Sequence, residues 1–254
     1  MASDFMNNTF EKLFYELAKG ASLTTPIMDR VFPETLEIDD NTSLWSKLTP
    51  NYQPGASLQK SIMADVAIIG GGFTGTSTAY HLSRRFPNKR IVLLEAKSLA
   101  NGASGRNGGM MLNWLPDMSQ CRTDECIKQV YDLTQEGMQT ILGIIQRHNL
   151  DVSYRMDGSL ETYTSTERAE SAHRHAEYLQ SLDIPVQYLD KATLSQSIDL
   201  HHTEGAVLDP NAGQINGAQY VRGLRPILVE QGVEVYENTP VIKIREGQEI
   251  TLTT

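Results

Sequence analysis

Gly70, Gly72 and Gly75 stand at the spacing G-x-G-x-x-G, which suits the holding of a pyrophosphate against backbone N–H groups where a helix begins. A tight turn at Gly70, close approach of the backbone to the phosphates at Gly72 and close helix–strand packing at Gly75 each require that no side chain be present. Alone, the pattern is weak. Its setting strengthens it: the apolar run Asp65 to Ile69 precedes it, residues 74–85 read as the following helix, and Ile91 to Leu94 form a second apolar run ending at Glu95, twenty residues past Gly75. A carboxylate in that place accepts hydrogen bonds from ribose hydroxyls and repels a 2′-phosphate. The unit from 65 to 95 is therefore predicted to be a βαβ module that binds a dinucleotide.

A second glycine-rich stretch starts seven residues after Glu95: Gly102-Ala103-Ser104-Gly105-Arg106-Asn107-Gly108-Gly109. Such a loop can wrap another part of a bound cofactor, offering backbone N–H groups to the pyrophosphate and the Arg106 guanidinium to its charge. The first loop alone does not distinguish FAD from NAD; the second favours FAD.

At these residues the sequence resembles the FAD-dependent amine and D-amino acid oxidase family, which includes glycine oxidase and sarcosine oxidase. ADVAIIGGGFTG, the acid in LLEA and GASGRNGG are most similar to its gamma-glutamylputrescine oxidase branch, as is the aromatic and proline-containing segment Trp45 to Leu58. The block Ala64 to Gly109 carries the specific likeness; Gly158-Ser159-Leu160 and Leu208-Asp209-Pro210 match more loosely. The resemblance implies cofactor contacts at Gly70, Gly71, Gly72, Phe73, Thr74, Gly75, Glu95, Ala96, Ala103, Ser104, Arg106, Asn107, Gly108 and Gly109, and a backbone contact to adenine at Val241. It also implies oxidation of the C–N bond of a small amine or amino acid, with hydride passing to flavin, the imine hydrolysing and oxygen or another acceptor reoxidising the flavin.

Two departures from the family pattern stand out. Met110 and Met111 follow the second loop where the close branch often has a glutamine. Family chains also run on well past position 254, so the chain reads as truncated at its C-terminus, with the substrate-clamping residues in the part beyond; no catalytic residue is named.

These residues need elements to position them. The expected fold class is α/β: a Rossmann-like FAD-binding domain with a parallel sheet and an inserted antiparallel α+β substrate lobe. The division is an N-terminal extension at 1–60, the first part of the FAD-binding domain at 61–149, a substrate-lobe segment at 150–210 and the second part of the FAD-binding domain at 211–254. In the extension, Phe10, Leu13, Phe14 and Leu17 recur at helical spacing and Pro26, Pro33, Pro50 and Pro54 break an irregular segment. Ile127 to Ile145 predict a long amphipathic helix, and Asp157-Gly158 between two alternating runs, Asp151 to Tyr154 and Ser159 to Tyr163, predicts a β-hairpin. A polar helix from Thr164 to Leu182, a strand at Val186 to Leu189, a helix at Tyr220 to Gly232 and strands at Val233 to Tyr236, at Val241 to Ile244 and near Leu252 follow.

Bulk properties exclude other classes. With 22 basic against 31 acidic residues the net charge is -9, and Lys or Arg never run beyond two, which argues against a nucleic-acid partner. The N-terminus lacks a secretory pattern and no stretch approaches the roughly 18 apolar residues of a membrane span, so an intracellular, cytoplasmic protein without a membrane partner is expected. Cys121 and Cys126 lack the CxxC spacing of zinc ribbons and redox dithiols and are expected to be free thiols. The six histidines and Asp209 lie at no metal-ligand or general-base spacing, so no metal is expected and Asp209 reads as a turn residue before Pro210. Two alternatives remain open: a different flavin- or NAD-linked oxidoreductase, and a non-catalytic nucleotide-binding module.

Overall fold

The apolar runs flanking the first glycine loop pair as predicted. In the computed structural model, which describes residues 43–113, 121–198 and 200–254, strand β1 (Val66–Ile69) lies parallel to β2 (Ile91–Leu94), Val66 opposite Ile91 and Ile69 opposite Leu94. Helix α2 (Phe73–Arg85) makes the crossover. The short helix α1 (Leu44–Lys47) precedes this unit, capped by the Ser43 hydroxyl accepting from Ser46 N. The helix expected around Phe10 to Leu17 lies outside the described residues.

A third parallel strand, β9 (Glu234–Tyr236), pairs on the other side of β2, so the order is β1-β2-β9. All four residues of β2 are buried, as expected for a parallel strand covered on both faces. Helix α6 (Gly217–Glu230) begins at Asn216, whose side chain accepts from Gln219 N, and packs against α2. Its Tyr220, Val221, Leu224, Ile227 and Leu228 recur along one face and join Ala79, Tyr80, Ile91 and Leu93 in the main core.

The amphipathic pattern centred on Ile127 to Ile145 is α3 (Asp124–Arg147), 24 residues that span about 36 Å. This helix serves two cores. Met138, Ile144 and Ile145 belong to the main one, whereas Tyr131 packs with Ala176, Leu179, Ile184 and Val186 in a second cluster. The second cluster lies between α4 (Thr166–Ser181) and an antiparallel sheet of order β5-β7-β6, made of β5 (Ser159–Tyr163), β6 (Gln187–Asp190) and β7 (Gly205–Asp209), with α5 (Lys191–Leu194) following β6. Another antiparallel sheet, order β3-β8-β4, joins β3 (Met110–Met111), β4 (Tyr154–Arg155) and β8 (Gly213–Ile215). The described chain ends in a hairpin of β10 (Lys243–Arg245) and β11 (Thr251–Thr253) around Gly247.

Two expectations are corrected. The Asp157-Gly158 hairpin does not form: the runs on either side of it both pair with the stretch from Gly205 to Ile215 instead of with each other. Tyr154 sits opposite Ile215 and Ser159 opposite Asp209, so the chain between Arg155–Gln214 and Ser159–Asp209 bulges. Gly158, at φ +91°, donates its N–H to Ala212 O at 3.0 Å inside this bulge. Asp-Gly supplies the backbone freedom that its residue types promise, but to a bend where a strand leaves one sheet for the next.

The second correction concerns the cysteines, which form a disulfide. Thr123 caps α3 by accepting from Cys126 N, and this turn folds the chain back so that the Cα atoms of Cys121 and Cys126 lie 5.4 Å apart, within bridging range. The CxxC spacing of redox dithiols is one route to proximity; a capped helix start is another.

Candidate cofactor-binding site

The first loop leaves β1 at Gly70, where φ is +99° and the N–H donates to Leu94 O at 2.8 Å. A side chain there would meet nothing within 4 Å, so the glycine is required for its conformation, and the space beside it stays open. Gly75 has the opposite reason: a Cβ would run into the Gly70 carbonyl. Gly72 is expected from the sequence to clear space for phosphates; here its missing side chain leaves room for Ser104, whose Oγ would lie 2.6 Å from a Cβ.

Ser104 joins the two loops. Its hydroxyl accepts from Phe73 N at 2.9 Å, in the first turn of α2, which carries no acidic residue. The positive end of that helix dipole is thus left without a neutralising carboxylate of its own. Phe73 sends its ring toward α6, 6.3 Å from the Tyr220 ring, so what it can offer a cofactor is backbone. Thr74 is exposed, as are Ala96, Ala103 and Gly108.

Glu95 is part-buried just past β2, and its carboxylate accepts from Gly71 N at 2.7 Å and Lys97 N at 2.9 Å. The carboxylate fixes the first loop to its own strand end, while a carboxylate's roughly four lone-pair sites leave capacity for hydroxyl donors. After β9 the chain returns to the same place: Asn238 N donates to Lys97 O at 2.7 Å and Thr239 N to Glu95 O at 2.9 Å. Val241 follows two residues later, outside regular secondary structure and just before β10, which starts later than the strand expected from Val241 onward.

In the second loop Ala103–Gly105 make a single 3-10 turn. The Asn107 side chain is occupied by the loop itself, donating to Ala103 O at 3.0 Å and Ser104 O at 3.1 Å and accepting from Gly109 N at 2.7 Å. Arg106 donates from Nε to Asn101 O at 2.8 Å. Gly109 has φ +71°, and its carbonyl accepts from Ile215 N at 2.7 Å, tying the loop to β8.

Several residues of this site carry no signal in the sequence. Glu237, fully buried just after β9, accepts from Tyr52 Oη at 2.9 Å, Gly55 N at 2.5 Å and Leu99 N at 2.6 Å. Arg225 Nε lies 3.3 Å from the same carboxylate, an ion pair by distance that lacks hydrogen-bond alignment. Arg222 donates to Leu99 O at 3.1 Å and to Thr49 Oγ1, and stacks 4.6 Å over the Tyr52 ring. Burial, with Glu237 beside it, pushes the Tyr52 phenol well above its ordinary range, and burial holds the Arg222 guanidinium below its own. Lys, Glu and Arg are so seldom buried that no sequence pattern marks Glu237 as interior; Trp45 and Tyr52, two aromatics in a proline-broken segment, are the available hint.

Asp209, expected as a turn residue before Pro210, is instead the buried last residue of β7, and the turn starts after it. It accepts from Asn211 N at 3.0 Å and from the buried Asn113 at 2.7 Å. Among the described residues no three His, Cys, Asp or Glu side chains gather as metal ligands, and no helix is long and apolar enough to cross a membrane.

Two glycine loops meeting at a helix N-terminus, beside a carboxylate at the end of a parallel strand, define a dinucleotide-binding α/β protein. Residues 65–254 match the family described as FAD dependent oxidoreductase, and the chain belongs to it. It is 27% identical over 216 residues to the gamma-glutamylputrescine oxidoreductase of Escherichia coli (strain K12), covering 82% of this chain and 49% of that relative. The glycine oxidase of Geobacillus kaustophilus (strain HTA426) is 25% identical over 185 residues, covering 71% of this chain and 48% of the relative. The crystal structure of glycine oxidase from Geobacillus kaustophilus superposes with a TM-score of 0.61 at 24% identity, over 74% of this chain and 50% of that one. The chain thus spans about half the length of these relatives.

Proposed function

We propose that this chain holds the adenosine and pyrophosphate parts of FAD in an enzyme that oxidises the C–N bond of a small amine or amino acid. The observation that carries the proposal is the junction of Phe73 N, Ser104 Oγ and the Glu95 carboxylate, which brings both glycine loops to one helix start. The fit to FAD rests on the open space beside Gly70 and on the acid-free first turn of α2. Glu95 and Ala96 would meet the ribose, the backbone from Gly70 to Gly75 the pyrophosphate, and Val241 the adenine. Ala103, Ser104, Arg106, Asn107, Gly108 and Gly109 would line the second stretch, with Asn107 acting by holding the loop closed.

FAD held there would supply an acceptor for a hydride from the carbon beside an amine nitrogen, leaving an imine for water to hydrolyse, with oxygen or another acceptor as reoxidant. The relatives named gamma-glutamylputrescine oxidoreductase and glycine oxidase support the substrate class, since both names denote a compound bearing an amine. In the same reading, 61–149 and 211–254 are parts of the FAD-binding domain, 150–210 is a segment of a substrate lobe, and the enzyme is cytoplasmic. The antiparallel sheet β5-β7-β6 with α4 supports the lobe assignment.

Colour is the first test. Purified protein is expected to carry flavin absorbance or to take up FAD on reconstitution, and then to consume oxygen or reduce an artificial acceptor with a member of a panel of amines and amino acids. No flavin uptake would overturn the cofactor assignment; uptake without activity on any panel member would overturn the substrate class.

A further inference from the structure

The segment Ser43 to Leu58 crosses both halves of the site without belonging to either glycine loop. Trp45 donates its indole N–H to the Asn107 carbonyl, and its ring occupies the side of Gly109 where a Cβ would come 3.2 Å from Cζ2. Ser46 and Thr49 accept from Arg222, whose Nε also holds Leu99 O. Tyr52 and Gly55 donate to Glu237, which in turn accepts from Leu99 N, so both backbone groups of Leu99 are gripped by residues that the segment engages. Leu99 closes the path to the first loop: its side chain fills the place where a Cβ on Gly71 would stand, and the next residue, Ala100, donates to Gly71 O at 2.9 Å. Leu58 N completes the strap on Thr239 Oγ1 at 3.0 Å.

We propose that this strap positions the cofactor loops, with Trp45 as the positioning residue of the second one. A glycine-dense loop is entropically costly to order, and a cofactor that must order it binds more weakly than one meeting it already closed. Asn107 closes the loop from inside and Trp45 fixes it from outside, at the same residue, before FAD arrives. This inference rests on the FAD reading above.

Trp45→Phe keeps a ring and deletes the N–H donor. In the purified, flavin-stripped protein, Trp45→Phe is expected to speed hydrogen exchange in the peptide covering residues 102–109 while leaving peptides of β5 and β7 unchanged. Its FAD dissociation constant, measured by quenching of flavin fluorescence, is expected to rise about three- to tenfold, the loss of one hydrogen bond. Thr49→Val is the companion variant, loosening the strap at Arg222 without touching Asn107; it should leave exchange at 102–109 as in the parent. A Trp45→Phe protein that binds FAD within about twofold of the parent, with unchanged exchange at 102–109, overturns the proposal. So does a Thr49→Val protein that opens that peptide equally, since the strap would then act through general stability. Failure of the FAD reading shows separately, as a parent protein that takes up no flavin.

Discussion

Glu95 and Glu237 follow neighbouring strands, β2 and β9, and carry the same charge, yet their surroundings give them different work. Glu95 is part-buried and answers to two backbone amides of its own loops. Glu237 is sealed from solvent and gathers a phenol, two backbone amides and a guanidinium, all from other elements of the chain. A partly exposed carboxylate with unused lone pairs can still take a ligand; a buried one surrounded by donors holds the chain together. The identity of the residue decides neither outcome.

The largest effect that tests this contrast is at Glu237. Glu237→Ala strands two buried amides, the Tyr52 hydroxyl and the Arg225 charge, and the expected loss is about 3–5 kcal/mol of unfolding free energy. Denaturant unfolding of the flavin-free protein measures it. A loss under about 1 kcal/mol would mean that water or neighbouring groups replace the carboxylate and that the strap is not anchored there.

Glu237 also marks where sequence reading stops. The βαβ unit is legible because its cues are local: a glycine spacing, an apolar strand on each side and an acid at a fixed distance, all within residues 65–95. Helices α3, α4 and α6 are legible from periodicity, with caps at Thr123, Ser165 and Asn216 setting starts that periodicity places only approximately. The antiparallel part is misread at Asp157-Gly158 because a turn signal states what the backbone can do, and pairing with residues 205–215 is a long-range choice. The Glu237 cluster escapes for the same reason, since it depends on where folded neighbours lie; the disulfide is local and escapes because its turn is made by the Thr123-capped start of α3 and not by a CxxC spacing. The division of labour at Gly72 is subtler. The need for a glycine is legible in the spacing, but the crowding comes from Ser104 in the other loop.

Glu95 should give the reverse of the Glu237 result. Glu95→Gln retains an acceptor for one of the two amides and loses the negative charge that favours ribose hydroxyls, so stability should fall by no more than about 1 kcal/mol. FAD affinity should fall about tenfold or more, equivalent to about 1.4 kcal/mol. Parallel titration and unfolding of the same preparation separate the two quantities. Equal losses in binding and stability would erase the distinction drawn between the two acids.

The smallest expected effect lies at Tyr52, and it uses pH to separate the two regions. Burial and the adjacent Glu237 raise this phenol in the folded chain above the value of about 10 for an unfolded tyrosine. A group whose folded pKa is raised adds stability that is complete below the unfolded pKa and disappears as pH climbs toward the folded one, because above about pH 10 only the unfolded chain releases the proton. Tyr52→Phe therefore costs about 1 kcal/mol near neutral pH, through the lost hydroxyl donor, and makes the alkaline decline above about pH 10 shallower than in the parent. Tyr163 and Tyr220, which burial pushes up to about 12, remain in both proteins and contribute to the residual slope. Unfolding curves at a series of pH values from neutral to alkaline supply the comparison. Parallel curves for parent and variant would show that Tyr52 ionises as easily in the folded chain as outside it, which is incompatible with a sealed Glu237 anchor beneath the strap.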